Sequence, residues 1–177
     1  MKQTGTAQKV VVSGVFISLA TVLSLVVVFK LPYGGSITLL SMLPVMILGY
    51  MYGIKWGILC GLVYGIVQAM LGATMSSAFA GLTGFNVVLM AILDYLVAFA
   101  VLGTAGMFKG KIKNDTVAFS LGAVVAGLLR LLAHFTSGFI LWGSYAEWFF
   151  GAENMNNEFG NYILSNFSGT SLAMLYS

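Results

Sequence analysis

The sequence is 177 residues long; 59% of its residues are hydrophobic and 7% are charged, compared with about 25% charged residues in an ordinary soluble domain. Eight basic and five acidic side chains are too few to cover the surface of a soluble protein of this length, and the mean hydropathy is +0.98. This composition excludes a soluble enzyme. A net charge of only +3 gives no indication of a nucleic-acid partner, so a nucleic-acid-binding protein is excluded as well. The sequence therefore predicts an integral membrane protein with a single domain over residues 1–177.

Apolar runs of membrane-spanning length follow one another along the chain, since about 20 helical residues cross a bilayer. We predict spans over residues 10–29, 37–54, 56–72, 85–108 and 116–142, and a partial span from about residue 162. The first run is too long for a signal peptide. The 16 residues from Tyr162 to Ser177 are too few to cross alone, so we expect a truncated last helix. The expected fold class is all-α, a polytopic membrane helix bundle.

The lysines indicate how the bundle is oriented. Those on one predicted side are Lys2, Lys9, Lys55, Lys109, Lys111 and Lys113, whereas the other side has Lys30 and, after the fifth span, Glu147, Glu153 and Glu158. Because cytoplasmic loops carry an excess of lysine and arginine, we predict a multi-pass protein of the cell membrane with a cytoplasmic N-terminus.

Three ionisable side chains fall inside predicted spans: Asp94 in the fourth, and Arg130 and His134 in the fifth. Each costs a few kcal/mol in the bilayer, so each is a candidate functional residue. Arg130 and His134 are four residues apart and share one helix face. The alternative interpretation is a structural ion pair between Asp94 and Arg130 that ties two helices together.

Aromatic residues accompany these charges. Tyr95 follows Asp94, and Trp142 comes eight residues after His134, on roughly the same helix face. A carboxylate with aromatic rings favours a flat, cationic or hydrogen-bonding ligand. The alternative is an aromatic belt at the membrane boundary.

Motifs for enzymatic chemistry are missing from the sequence. It contains no phosphate-binding loop, no His-Glu-x-x-His and no Gly-x-Ser-x-Gly. One histidine and one cysteine cannot assemble a metal cluster from soft ligands. We therefore predict that the protein is not an enzyme and has no cofactor, and that any uphill transport takes its energy from a partner.

Two stripes of small residues recur at helical spacing, and such stripes let membrane helices approach closely. The first span carries Gly14, Ser18 and Thr21, which could form either a docking face or internal packing. The third span carries Gly57, Gly61 and Gly65, for which we predict packing within the bundle.

Five segments carry a resemblance to a known family, and together they run along most of the chain from Val10 to Ala146. They are Lys30-Leu-Pro-Tyr-Gly-Gly-Ser36, Leu43-Pro44 with Tyr52-Gly-Ile-Lys-Trp-Gly57, Leu93-Asp-Tyr-Leu-Val-Ala-Phe99, Leu129-Arg-Leu-Leu-Ala-His-Phe-Thr-Ser-Gly138 and Trp142-Gly-Ser-Tyr-Ala146. The sequence resembles the thiamine-specific substrate-binding (S) components of energy-coupling factor (ECF) transporters. That family is described as six helices that bind a vitamin from outside and dock onto a membrane scaffold driven by two ATPases.

The resemblance implies a set of site residues and partners. It assigns thiamine binding to Asp94, Tyr95, Arg130, His134, Trp142 and Tyr176, and scaffold docking to Gly14 and Ser18. The implied partners are thiamine, the ECF scaffold subunit, two ATPase subunits and membrane lipid. The chain departs from the family at Gly34-Gly35, where some relatives have tryptophan, and at Gly14 and Ser18, where alanines are usual.

Three other functions stay open on the sequence alone. The chain could be an S component for another vitamin, such as riboflavin, or a proton-coupled carrier of a small cationic solute that uses Asp94 and His134 as a relay. A membrane enzyme is the third, because an Asp–His pair has general acid–base capacity.

Overall fold

The described part of the chain is a bundle of apolar helices with a short pair of antiparallel strands. A computed structural model describes residues 5–30, 36–38, 40–75, 82, 84–151 and 158–177. Within them, four helices are long and apolar enough to cross a membrane: α1 (Thr6–Leu25), α3 (Ile54–Met75), α4 (Phe85–Gly106) and α5 (Asp115–Trp142). The shorter elements are β1 (Val27–Lys30), β2 (Ser36–Thr38), α2 (Leu43–Tyr52), α6 (Ala146–Phe150), α7 (Glu158–Asn166) and α8 (Gly169–Tyr176). The predicted class, a polytopic helical bundle, is confirmed.

The predicted end of the first span and the predicted start of the second span differ from the structure. The first helix ends at Leu25 rather than at residue 29, because the β-branched residues that follow form β1, which pairs antiparallel with β2. The second helix covers Leu43–Tyr52 rather than 37–54. Pro44 lies in its first turn, where the missing N–H costs no hydrogen bond, so this proline begins the helix instead of breaking it.

The partial last span is also different from the prediction, because the structure divides it into two short helices. α7 ends at Asn166 and α8 begins at Gly169. Ser168 starts α8 with a capping box, in which its side chain and that of Ser171 bond reciprocally to backbone N–H groups. Lys2, Gly34, Gly35 and Glu153 lie outside the described residues.

Polar contacts fix α1 along α3. The indole N–H of Trp56 donates to Ser13 Oγ at 2.9 Å, and the amide of Gln68 donates to Ser24 Oγ at 2.8 Å. Between them, the buried hydroxyl of Tyr64 donates to a backbone carbonyl of α1 at 3.1 Å. Residue numbers increase in the same direction along α1 and α3 in these three contacts, so the two helices run parallel.

Glycines bring α3 and α4 into backbone contact. A Cβ atom added at Gly61 would collide with the carbonyl of Phe99, and one added at Gly65 would lie 2.6 Å from the carbonyl oxygen of Tyr95. Gly57 faces Gly103 in the same way. The prediction that the third-span stripe packs within the bundle is confirmed.

Lysine-bearing segments meet at one end of the bundle, which we call the basic end. Lys9 lies 5.7 Å from the ring centroid of Tyr52. Lys109 donates to the backbone carbonyl of Met51 at 3.0 Å and lies over the ring of Tyr50. The start of α1, the α2–α3 connection and the α4–α5 connection therefore lie together, while α1, α3 and α5 all run away from this end.

We predict that Gly61→Leu destabilises the bundle strongly. Its side chain would push α4 off α3, and overpacking costs about 1–3 kcal/mol or more when backbone must move. Thermal unfolding in detergent should show a clear loss of stability. Gly127→Leu is the matched control, because a Cβ at Gly127 meets no atom within 4 Å. Equal melting temperatures for the two variants would contradict the α3–α4 packing.

Candidate substrate-binding site

Asp94 lies in a π-helical stretch of α4. The helix is α-helical over Phe85–Met90 and π-helical over Ala91–Val97. Widened turns of this kind are rare and frequently occur at functional sites. Asp94 bonds to α5, whereas the hydroxyl of its neighbour Tyr95 reaches α3, where it lies against Gly72. The structure therefore directs these two predicted site residues to different helices.

Both oxygens of the Asp94 carboxylate are hydrogen-bonded by α5. His134 Nδ1 lies 2.8 Å from Oδ1, and Ser137 Oγ donates to Oδ2 at 2.7 Å. The two partners are three residues apart and share one face of α5. The carboxylate side chain is 16% exposed, so these bonds replace the hydration that it loses on burial.

The hydrogen bond to Asp94 orients the imidazole of His134. A carboxylate oxygen accepts the bond, so Nδ1 carries the proton, and Nε2 of the neutral ring is left as an acceptor. The His134 side chain is 39% exposed, in contrast to the buried Ser137. The ring can therefore present Nε2 to a bound molecule while it holds Asp94.

Arg130 does not form the ion pair with Asp94 that the alternative interpretation required. Among the described residues, the partner within ion-pair distance of Asp94 is His134. The Arg130 guanidinium instead lies 4.0 Å from the ring centroid of Phe99. Its Nη1 atom is buried and has no hydrogen-bond partner in the part of the chain that the structure describes. The interpretation as a structural ion pair between Asp94 and Arg130 is therefore wrong, because Arg130 lies one turn nearer the basic end than His134.

Trp142 and Tyr145 form an aromatic pair at the far end of α5. Their ring centroids are 5.7 Å apart and the rings are tilted by 51°. Tyr145 is exposed and Trp142 half-buried. The structure therefore places Trp142 two turns beyond His134, at the end of the bundle opposite to the basic end.

Tyr176 packs in a separate apolar cluster formed by the short helices. Its ring centroid lies 5.0 Å from that of Phe149 and 6.3 Å from that of Phe150. The buried members of this cluster are Ala146, Phe150, Ile163 and Leu172. Both rings that Tyr176 contacts therefore belong to α6 and not to α4.

A cleft opens where α8 packs back along α5. It has a volume of about 380 Å³ and is lined by Phe139, Gly143, Ser144, Ala146, Glu147, Gly169, Thr170, Leu172 and Ala173. A Cβ at Gly143 would meet Ala173 at 2.9 Å, and one at Gly138 would meet Ser177 at 3.3 Å. The two helices are therefore antiparallel, and α8 leads from the cleft toward the level of Ser137. Among the described residues that line the cleft, the ionisable one is Glu147, and Asp94 is not part of the lining.

Sequence reasoning did not identify Ser137. It lies three residues after His134, so the helical period that joins Arg130 and His134 would also have placed it on this face. A serine carries no charge and is common in membrane helices, so nothing in the sequence alone singled it out.

The fold and these contacts define a polytopic helical membrane protein with a half-buried carboxylate that is held by an imidazole and a hydroxyl. The chain belongs to the thiamine transporter protein family (Thia_YuaJ), whose profile matches residues 10–152. That range includes all the predicted site residues except Tyr176. The family is one of transporters rather than enzymes, in agreement with the missing enzyme motifs.

A comparison with curated proteins finds the thiamine transporter ThiT of Bacillus subtilis (strain 168). The two sequences are 27% identical over 145 residues, which is 77% of this chain and 64% of the relative. The chain thus spans just under two thirds of the length of that relative. The search of solved structures gave no significant match.

Proposed function

We propose that this chain is the thiamine-binding S component of an ECF-type transporter, and that its site is centred on Asp94. The observation that carries the proposal is the carboxylate held by His134 and Ser137 in a member of the thiamine transporter family. The chain acts as one membrane domain over residues 1–177. The basic end and the N-terminus face the cytoplasm. The chain captures thiamine at the opposite end of the bundle.

The carboxylate has hydrogen-bonding capacity left for a ligand. An ionised carboxylate offers about four lone-pair sites, and the bonds from His134 and Ser137 use two of them. The aminopyrimidine edge of thiamine presents an amino group that can donate to one of the remaining sites. A hydrogen bond to a charged group is stronger than a neutral one, so Asp94 would provide much of the specificity.

Aromatic rings would hold the rest of the ligand. Asp94 and Arg130 carry opposite charges, so with a neutral His134 the site has no net charge to offset the thiazolium cation. We assign stacking to Trp142. Tyr95, whose hydroxyl reaches α3, and Tyr176, which packs against α6, stay predictions for the lining. A cation over an aromatic face is attracted by about 0.5–2 kcal/mol, more where water is excluded.

Energy for uptake would come from partner subunits. The chain contains no ATP-binding motif, so an ECF scaffold with two ATPases would drive transport. Docking would use the outer face of α1, where a Cβ at Gly14 meets no atom within 4 Å and Ser18 is exposed. The residues of α1 that face the bundle, such as Ser13 and Ala20, are different ones.

A second candidate function is a proton-coupled carrier. The 2.8 Å bond between Asp94 and His134 favours it, because two titratable groups in contact could relay a proton. Such a carrier would accumulate its substrate without ATPase partners.

We predict that Asp94→Asn weakens thiamine binding by at least about 2 kcal/mol, or roughly thirtyfold. The amide keeps the shape and one acceptor but loses the charge-assisted bond to the ligand. Binding is measured on purified protein by quenching of tryptophan fluorescence and by titration calorimetry.

Asp115→Asn is the matched control for this substitution. Asp115 accepts a hydrogen bond from Tyr50 at 2.7 Å, but at the basic end of the same helix α5. Its replacement should leave thiamine affinity unchanged. Wild-type affinity in Asp94→Asn would remove Asp94 from the site, and a wild-type protein that does not bind thiamine would contradict the proposed function.

We predict that vesicles containing this chain alone bind thiamine but do not accumulate it. Labelled thiamine is supplied outside, with and without an imposed proton gradient. Retention should equal the number of binding sites under both conditions, because an S component without its ATPase partners does not couple transport to a proton gradient. Accumulation driven by the proton gradient would favour the carrier instead.

We predict that Gly14→Trp and Ser18→Trp abolish uptake in cells that contain the scaffold but leave thiamine binding intact. A bulky ring on this face would hold the helices of two subunits apart, and lipid gives little hydrophobic drive to close the gap. Leu128→Trp is the control, because Leu128 is 55% exposed on α5, away from α1. If uptake is unchanged, docking uses another helix; if binding and folding are lost together, the stripe packs internally.

A further inference from the structure

Ser137 is a fully buried polar side chain on a helix whose other buried residues are alanines, a glycine and a leucine. Its exposed fraction is 0%, and its hydroxyl donates to Asp94 Oδ2 at 2.7 Å. That distance is within the range of a charge-assisted O–H···O bond. The two buried neighbours on its face, Ala133 and Leu141, make no such bond. The hydroxyl therefore acts on the carboxylate rather than on general packing.

Two donors constrain a carboxylate in a way that one cannot. A single bond to Oδ1 leaves the group able to rotate about its Cβ–Cγ bond, whereas bonds to both oxygens fix its plane. His134 and Ser137 supply these bonds from successive turns of α5. The π-helical stretch Ala91–Val97 presents Asp94 to them from α4. The unused lone pairs then point in fixed directions.

We propose that Ser137 is a positioning residue, which fixes the plane of the Asp94 carboxylate so that its free lone pairs meet the aminopyrimidine of thiamine. It acts through Asp94 and does not touch the ligand. This inference rests on the proposed function and adds to it a residue that determines affinity. Preorganisation of this kind raises affinity because the ligand does not have to order the group that binds it.

A double-mutant cycle tests the inference. We expect Ser137→Ala to weaken thiamine binding about tenfold in the wild-type background, the loss of one bond to a charged group. In the Asp94→Asn background the same change should cost less than about twofold, because residues that act as a unit are not additive. Ser137→Thr, which keeps the hydroxyl, should retain most of the affinity.

Thr136→Val is the matched control. Thr136 is the neighbouring residue, but it is exposed and its hydroxyl bonds to the carbonyl of Leu132 at 2.8 Å. Its loss should leave affinity unchanged. Melting temperatures of all ligand-free variants separate a loss of folding from a loss of positioning. Should the alanine variant not fold, Ser137→Cys fills the same space with a weaker donor and should bind with intermediate affinity.

The outcomes separate this inference from the proposed function. Wild-type affinity in Ser137→Ala, or an equal loss in both backgrounds of the cycle, would overturn the positioning role while thiamine binding by the wild type stands. Absence of thiamine binding by the folded wild-type protein would overturn the proposed function and this inference with it.

Discussion

A carboxylate among membrane helices is tolerated only when its oxygens accept hydrogen bonds, because the hydrocarbon offers it no water. In this bundle α5 meets that requirement through His134 and Ser137. Bonds of 2.7–2.8 Å leave little freedom in the distance or register between α4 and α5. The rest of the structure therefore has to hold α4 at one depth and one rotation.

The glycine stripe of α3 provides this constraint from the other side of α4. Gly61 and Gly65 admit the α4 backbone at Phe99 and Tyr95, and the side chain of Tyr95 extends along α3 to Gly72. With α3 on one side and α5 on the other, the widened π turn lets adjacent residues reach opposite neighbours. Small residues that carry no chemistry themselves thus determine where Asp94 lies.

Hydropathy predicted the long helices well, because length and apolar content decide what can cross a bilayer. It could not separate β1 (Val27–Lys30) from the helix before it, since both are apolar and only strand pairing distinguishes them. Asp94 and His134 stood out because charges in spans are rare. Their pairing did not follow from the sequence: helical period gives the face that Arg130 and His134 share, but not their depth relative to another helix. Ser137 gave no signal at all.

α1 has two faces with different partners, and this division bears on how binding and docking could be connected. Its inner face is tied to α3 through Ser13 and Ser24, while a Cβ atom added at Gly14 would meet no atom within 4 Å among the described residues. α3 therefore contacts both the helix proposed to dock and the helix that carries Asp94. α2 also packs against both α1 and α4. Because packed helices shift between discrete arrangements rather than deform continuously, a ligand that moves α4 would act on α1 through α2 and α3 together.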